Sequence, residues 1–132
     1  MASKRTGLTF DAVAGLAGEL PEVEVAESHR TRALRVRGKL MARIWEDGVT
    51  LVLRLPFVVR DHLMRTEPSR YFLTDHYHDY PYVLVDLRSV DAADLRPLLE
   101  ESWVQVAPKR LVAARVRANA GAAPTAGRRR AT

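Results

Sequence analysis

Between residues 22 and 55, polar and apolar side chains alternate with a period of two, and glycines interrupt the alternation at Gly38 and Gly48. Four runs result: 22–27, 32–37, 39–45 and 50–55. Such alternation sends successive side chains to opposite faces of a strand. The links between the runs are only a few residues long. A parallel crossover needs about a dozen or more residues, so neighbouring runs can pair only antiparallel. This block commits the chain to an antiparallel meander with one apolar face, and the rest of the sequence must cover or extend it.

Asp47-Gly48 reads as a two-residue hairpin turn of the mirror-image type, which needs positive φ at both positions. It pairs Ile44 with Leu51, Ala42 with Leu53 and Leu40 with Leu55 as an inner row. Met41, Arg43, Trp45, Thr50, Val52 and Arg54 then point outward. At the preceding turn, a two-residue link would bring Arg35 and Arg37 inside. A three-residue link, Arg37-Gly38-Lys39 with Gly38 left-handed, brings in Leu34 and Val36 instead. A one-residue slip exchanges the faces, so the apolar pattern favours the longer link. A four-residue link over 28–31 sets Glu24 opposite Arg35, Glu22 opposite Arg37, Val23 opposite Val36 and Val25 opposite Leu34.

Helices flank this block. Residues 8–20 carry Val13, Leu16, Ala17 and Leu20 on one face, with Thr9 as N-cap, a Leu8–Val13 staple and Pro21 as terminator. A short helix is expected over 56–64, strands over 71–73 and 82–87, and a helix ending at Val106. That last helix can start at Asp91 or Asp94. The later start suits Pro97 better, because it keeps the missing N–H within the first turn. Residues 108–117 allow one or two more turns. The tail is rich in Ala, Gly, Pro and Arg, a composition that cannot bury a core. The expected organisation is one domain over 1–118 and a disordered tail over 119–132. The fold class is α+β: an N-terminal helix, a mainly antiparallel twisted sheet, and C-terminal helices on one face.

Charge narrows function only partly. The chain of 132 residues has a formal net charge of +5. Setting aside Lys4, Arg5 and Arg128 to Arg130 leaves equal numbers of cations and acids. The distribution is polarised. Residues 30–43 hold Arg30, Arg32, Arg35, Arg37, Lys39 and Arg43 with no acid, whereas residues 60–101 are net acidic. All cations but Lys4, Lys39 and Lys109 are Arg, which suits bidentate phosphate contacts. The strand pattern gathers Arg35, Arg37, Lys39, Arg43, Arg54 and Trp45 on the outer face. Guanidinium groups there can meet phosphates, and the indole can stack. Pairing with Glu22 and Glu24 would instead neutralise half of this stripe.

Five blocks carry a resemblance. VRGKLMARI (36–44), EDGVTLVLRLP (46–56), VRDHLM (59–64), EPSRYFLTDHYHDYPYVLVDL (67–87) and LLEESWVQVAPKRLV (98–112) occur in that order. Together they resemble the MmcQ/YjbR family over about residues 8–112. The resemblance implies a small α+β domain of CyaY-like shape with a double-wing arrangement and a DNA-binding role. The matching positions are Gly38-Lys39, Ala42-Arg43, Pro68, His76-Tyr77, Pro81, Trp103 and Ala107-Pro108. Ser102 departs from the Ala usual before the Trp, a change expected to touch only packing.

Other chemistries find less support. Asp75, His76, His78 and Asp79 offer ligand atoms, and an extended chain would put both histidines on one face, with His62 the nearest third histidine. The segment reads instead as a packed turn, rich in tyrosine. Frataxin-like shape invites an iron reading, but the first helix offers only Asp11 and Glu19, and the acids Glu22, Glu24 and Glu27 have arginines opposite. There is no cysteine, no nucleophile elbow and no phosphate-binding glycine loop, and Ser28-His29 are adjacent. The expectation is a non-enzymatic protein without cofactor. DNA is its first expected partner and another protein its second. No membrane span is expected, and the absence of an apolar leader points to the cytoplasm.

Overall fold

The computed structural model describes residues 7–28 and 31–122. Four helices, α1 (Phe10–Ala17), α2 (Phe57–Thr66), α3 (Ala92–Val106) and α4 (Lys109–Ala122), accompany six strands. The strands are β1 (Val23–Ser28), β2 (Thr31–Val36), β3 (Lys39–Ile44), β4 (Thr50–Arg54), β5 (Tyr71–Phe72) and β6 (Tyr82–Asp86). They form one sheet in the order β1-β2-β3-β4-β6-β5, antiparallel at every pairing. The architecture is α+β. The four-run block is the meander β1 to β4, and β6 inserts between β4 and the short β5.

The inner face carries Leu34, Val36, Ala42, Ile44, Leu51, Leu53, Val83 and Val85 against Val13 and Ala17 of α1 and Leu95, Leu99 and Trp103 of α3. Trp103 is fully buried, and its indole N–H donates to the Pro21 carbonyl at 2.8 Å. One hydrogen bond thus ties α3 to the link between α1 and β1. Thr9 caps α1 as its sequence suggests, its hydroxyl accepting from the Ala12 amide. The helix ends at Ala17, not Leu20: Gly18, a poor helix former, still donates to Ala14, but Glu19 and Leu20 donate to Leu16 and Ala17, three residues back, so the α pattern gives way to a tighter turn.

α3 starts at the earlier of the two candidate positions. Asp91 accepts from the Asp94 amide and Asp94 from the Asp91 amide, a reciprocal cap that outweighs the inconvenience of Pro97. Pro97 and Ala93, whose carbonyl loses its helical donor, are both exposed, so water can serve that carbonyl. α4 runs to Ala122, beyond the domain boundary expected at residue 118. The rest of the expected tail, 123–132, lies outside the described residues, as does Arg30.

The β1–β2 and β3–β4 registers agree with the alternation, and the turns do not. β1 and β2 pair Val23 with Val36, Glu24 with Arg35 and Val25 with Leu34; Ser28 and Thr31 are themselves paired, which shortens the link to residues 29–30. β3 and β4 pair Ile44 with Leu51 and Ala42 with Leu53. The loop at Asp47-Gly48 is longer than a two-residue turn. Trp45 donates to Thr50, Gly48 donates to Trp45, and only Gly48 of the pair has positive φ (75°). The Asp47 carboxylate closes the loop by accepting from the amides of Val49 and Thr50 and from the Thr50 hydroxyl.

The link between β2 and β3 is the mirror-image turn that the other was expected to be. Val36 pairs with Lys39, and Arg37 and Gly38 have φ of 52° and 82°. By parity alone this would turn Leu34 and Val36 outward. A β-bulge prevents it: the register shifts between Leu34, opposite Ala42, and Arg35, opposite Leu40. The extra residue, Met41, is fully buried in the core, and Leu40 faces out, the reverse of the alternation-based expectation. Ser102, also fully buried, donates its hydroxyl to the Met41 carbonyl at 3.0 Å. Its place before Trp103 therefore supports a backbone irregularity as well as packing.

Candidate nucleic-acid interface

On the outer face, cross-strand pairs place Arg35 beside Leu40, Arg43 beside Val52, and Arg54 beside Tyr82. These rows floor a groove of about 340 Å³. Its other wall is the 75–82 segment, which folds over the sheet and contributes His76, Tyr77, Tyr80 and Tyr82. Val52 and Leu84 are buried although they lie on this face.

The groove's two arginines are held by hydrogen bonds. The Arg43 guanidinium donates to the Tyr77 hydroxyl at 3.2 Å and to the Thr31 hydroxyl at 3.3 Å. Arg35 donates to the Gly38 carbonyl at 2.8 Å, which ties it to the β2–β3 turn. Arg54 lies over the Tyr82 ring at 5.8 Å, and its Nε is buried with no hydrogen-bond partner among the described residues. His76 meets Tyr77 edge to face at 4.7 Å, and Tyr77 meets Tyr82 at 5.8 Å. Tyr80 is the exposed tyrosine, tilted against the likewise exposed His76 at 6.3 Å, with 55% of its surface open.

The wall is anchored from behind. Arg60, only 5% exposed, donates to the carbonyls of His78 at 3.1 Å and Tyr80 at 2.9 Å. Its guanidinium also lies over the Phe57 ring at 4.7 Å and contacts Asp61. A buried charge is tolerated only where its donors are satisfied, and here it fixes the backbone that carries the tyrosines.

Of the six candidate residues, the groove brings together Arg35 and Arg43, with Arg54 beside it on Tyr82. Arg37 turns away, paired at 2.6 and 3.1 Å with Glu22. The hydrogen bond from Arg37 and the charge behind it hold the Glu22 carboxyl below its usual range. Lys39 lies opposite the core residue Val36, hence on the other face from Leu40. Trp45 sits beyond the end of β3 and does not line the groove. The charged stripe is thus split, half of it into the groove. Alternation could not show this, because turn and bulge decide the parity.

Leu40, Val52, His76, Tyr77, Tyr80 and Tyr82 were not among the expected site residues. The available signal was the crowding of aromatics between Tyr71 and Tyr82, which could stack bases but reads first as packing, because the interleaved Asp75 and Asp79 repel phosphate. The 75–77 stretch is a 3₁₀ turn and His78 continues with helical angles, so the extended chain needed to align His76 and His78 does not occur. His78 instead contacts Asp79. Among the described residues no three His, Asp or Glu side chains form a cluster able to hold a metal ion. Three of the five acids of the iron reading are engaged in ion pairs: Asp11 with Arg32, Glu19 with Arg96 and Glu22 with Arg37. No described helix is long and apolar enough to cross a membrane.

Comparison with known proteins fits this architecture. Over 56 residues the chain is 45% identical to uncharacterized protein Mb2600 of Mycobacterium bovis and to uncharacterized protein Rv2570 of Mycobacterium tuberculosis. The aligned stretch covers 42% of this chain and only 43% of each relative. The crystal structure of Deinococcus radiodurans protein DR2400, a DUF419 domain, superposes with a TM-score of 0.64 at 22% identity, covering 74% of this chain and 77% of that one. That likeness is one of fold. The YjbR family model matches residues 18–105, from the end of α1 through nearly all of α3, and on that match the chain belongs to the YjbR family.

Proposed function

We propose that this domain binds nucleic acid, most simply DNA, through the outer face of its sheet and without catalysing a reaction. The observation that carries the reading is the convergence of Arg35 and Arg43 in one groove, with Arg54 next to it. Guanidinium groups so placed can each take a phosphate oxygen pair, and Tyr rings between them offer stacking surfaces. Arg37, Lys39 and Trp45 are no part of the contact surface in this reading. DNA as ligand also makes the cytoplasm the expected location.

The test is the salt dependence of binding to a labelled DNA. Contacts from Arg35, Arg43 and Arg54 predict a log–log slope of about −2 to −3. The double variant Arg35→Ala, Arg43→Ala is expected to lose more than half of that slope. Salt-independent binding, or no binding at low ionic strength, would refute the proposal.

A further inference from the structure

Resting on that reading, we infer that the groove takes an unpaired base, so the preferred ligand is single-stranded and not duplex. Three observations carry this. First, the basic groups are recessed. Arg43 lies in the floor, bonded to Tyr77 and Thr31, and Arg35 is tied back to Gly38. A duplex is read by elements that protrude into a groove about 12 Å wide, and a concave site presents its guanidiniums the wrong way for that.

Second, between the guanidiniums lie Leu40 and Val52, and over them an aromatic wall. Phosphate has no use for an apolar floor. The π-face of a base does, but in a duplex that face is already stacked. The volume, about 340 Å³, is at the small end of ligand pockets and suits one flat group with its attached phosphate. Tyr80, the exposed tyrosine of that wall, is the natural stacking partner.

Third, the rim is acidic beside the wall, where Asp75 and Asp79 are exposed. A double helix laid across the face brings phosphates of both strands past these carboxylates. A single strand can enter along β2 and β3, where Arg35 lies, and leave its base under Tyr80.

The experiment compares three fluorescent probes by anisotropy at one salt concentration: an oligothymidylate of about ten nucleotides, a self-complementary duplex of equal length, and an abasic strand with the same phosphates. The oligothymidylate is expected to bind about tenfold or more tighter than either of the others. Tyr80→Ala is expected to lower its affinity by about tenfold, to narrow its advantage over the duplex accordingly and to be rescued by Tyr80→Phe. Tyr80 is exposed, so truncation leaves the fold intact, which circular dichroism verifies. Duplex or abasic binding equal to that of oligothymidylate overturns the inference while the arginine-dependent reading stands. Failure of all three probes to bind overturns both.

Discussion

Arg60 offers the most demanding test of how the groove is built. Arg60→Met keeps the aliphatic volume and removes the guanidinium. Two short charge-assisted bonds disappear, to the His78 and Tyr80 carbonyls at 3.1 and 2.9 Å. Hydrogen bonds of this kind contribute about 1.5–3 kcal/mol each. The third carbonyl contact, to Tyr77 at 3.5 Å, is too long to add much. Asp61 is half exposed, so its ion pair adds little. Against the loss stands the desolvation cost of a buried cation, which methionine does not incur. The expected net destabilisation is about 3 kcal/mol, a large part of the stability of a small domain. Urea unfolding followed by tryptophan fluorescence measures it as a shift of the midpoint. The loss is local in origin, so amide exchange should accelerate first at Tyr77, His78, Tyr80 and Tyr82, whose amides are bonded within this segment. Arg60→Lys keeps the charge but not the planar fork and is expected to fall between the two. An Arg60→Met protein within about 1 kcal/mol of the parent, with these amides still protected, would refute the anchoring argument.

Three further outcomes follow from the packing and the charges. Ser102→Ala is expected to cost about 1–2 kcal/mol in denaturant unfolding, because the buried Met41 carbonyl loses a donor; an unchanged midpoint would mean that carbonyl is otherwise satisfied. Acid should destabilise the protein as the pH falls below the ordinary carboxyl value of 3.8: the Arg88 hydrogen bond holds Asp86 below it, and at Asp47 the bonds from Thr50 and from the Val49 and Thr50 amides outweigh the upward push of partial burial. Their contribution is complete above 3.8 and lost as the pH falls through the folded-state values, so a Tm-against-pH curve for Asp86→Asn should show a shallower acid limb. At the alkaline end, burial, reinforced by Glu67 and Asp94, pushes the Tyr71 phenol from 10.0 up to about 12, so the stability it lends is complete below 10.0 and lost as the pH rises towards 12; Tyr71→Phe should flatten that limb, and phenolate absorbance reports the ionisation.

How far the sequence could be read follows from the range over which each feature is decided. Pairing of β1 with β2 and of β3 with β4 is a local matter of period and link, and both registers are legible in the residues themselves. The two turns are not, because Arg37-Gly38 and Asp47-Gly48 are both compatible with more than one loop. At Arg37-Gly38 the choice falls to groups that a sequence window does not contain, the core's demand for Leu34 and Val36 and the Ser102 hydroxyl 61 residues after Met41, whereas at Asp47-Gly48 it falls to the Asp47 carboxylate and its near neighbours Val49 and Thr50. The groove lies further still from view, because its wall comes from residues 76–82 and is held by Arg60 on α2.

The bulge joins these strands of reasoning. With a two-residue turn and no bulge, Arg35 would face the helices and Leu34 the solvent, and the fold could not bury its core. The inserted Met41 restores the inner row. In doing so it sends Leu40 outward to lie beside Arg35. One irregular residue thus does two things at once: it closes the hydrophobic interior, and it sets Leu40 on the outer face beside Arg35, next to Val52, where they line the groove. The composition of the groove floor is the consequence of packing on the opposite side of the sheet, which is why changes at Met41 or Ser102, with no side chain in the groove, are expected to alter the nucleic-acid affinity proposed for it.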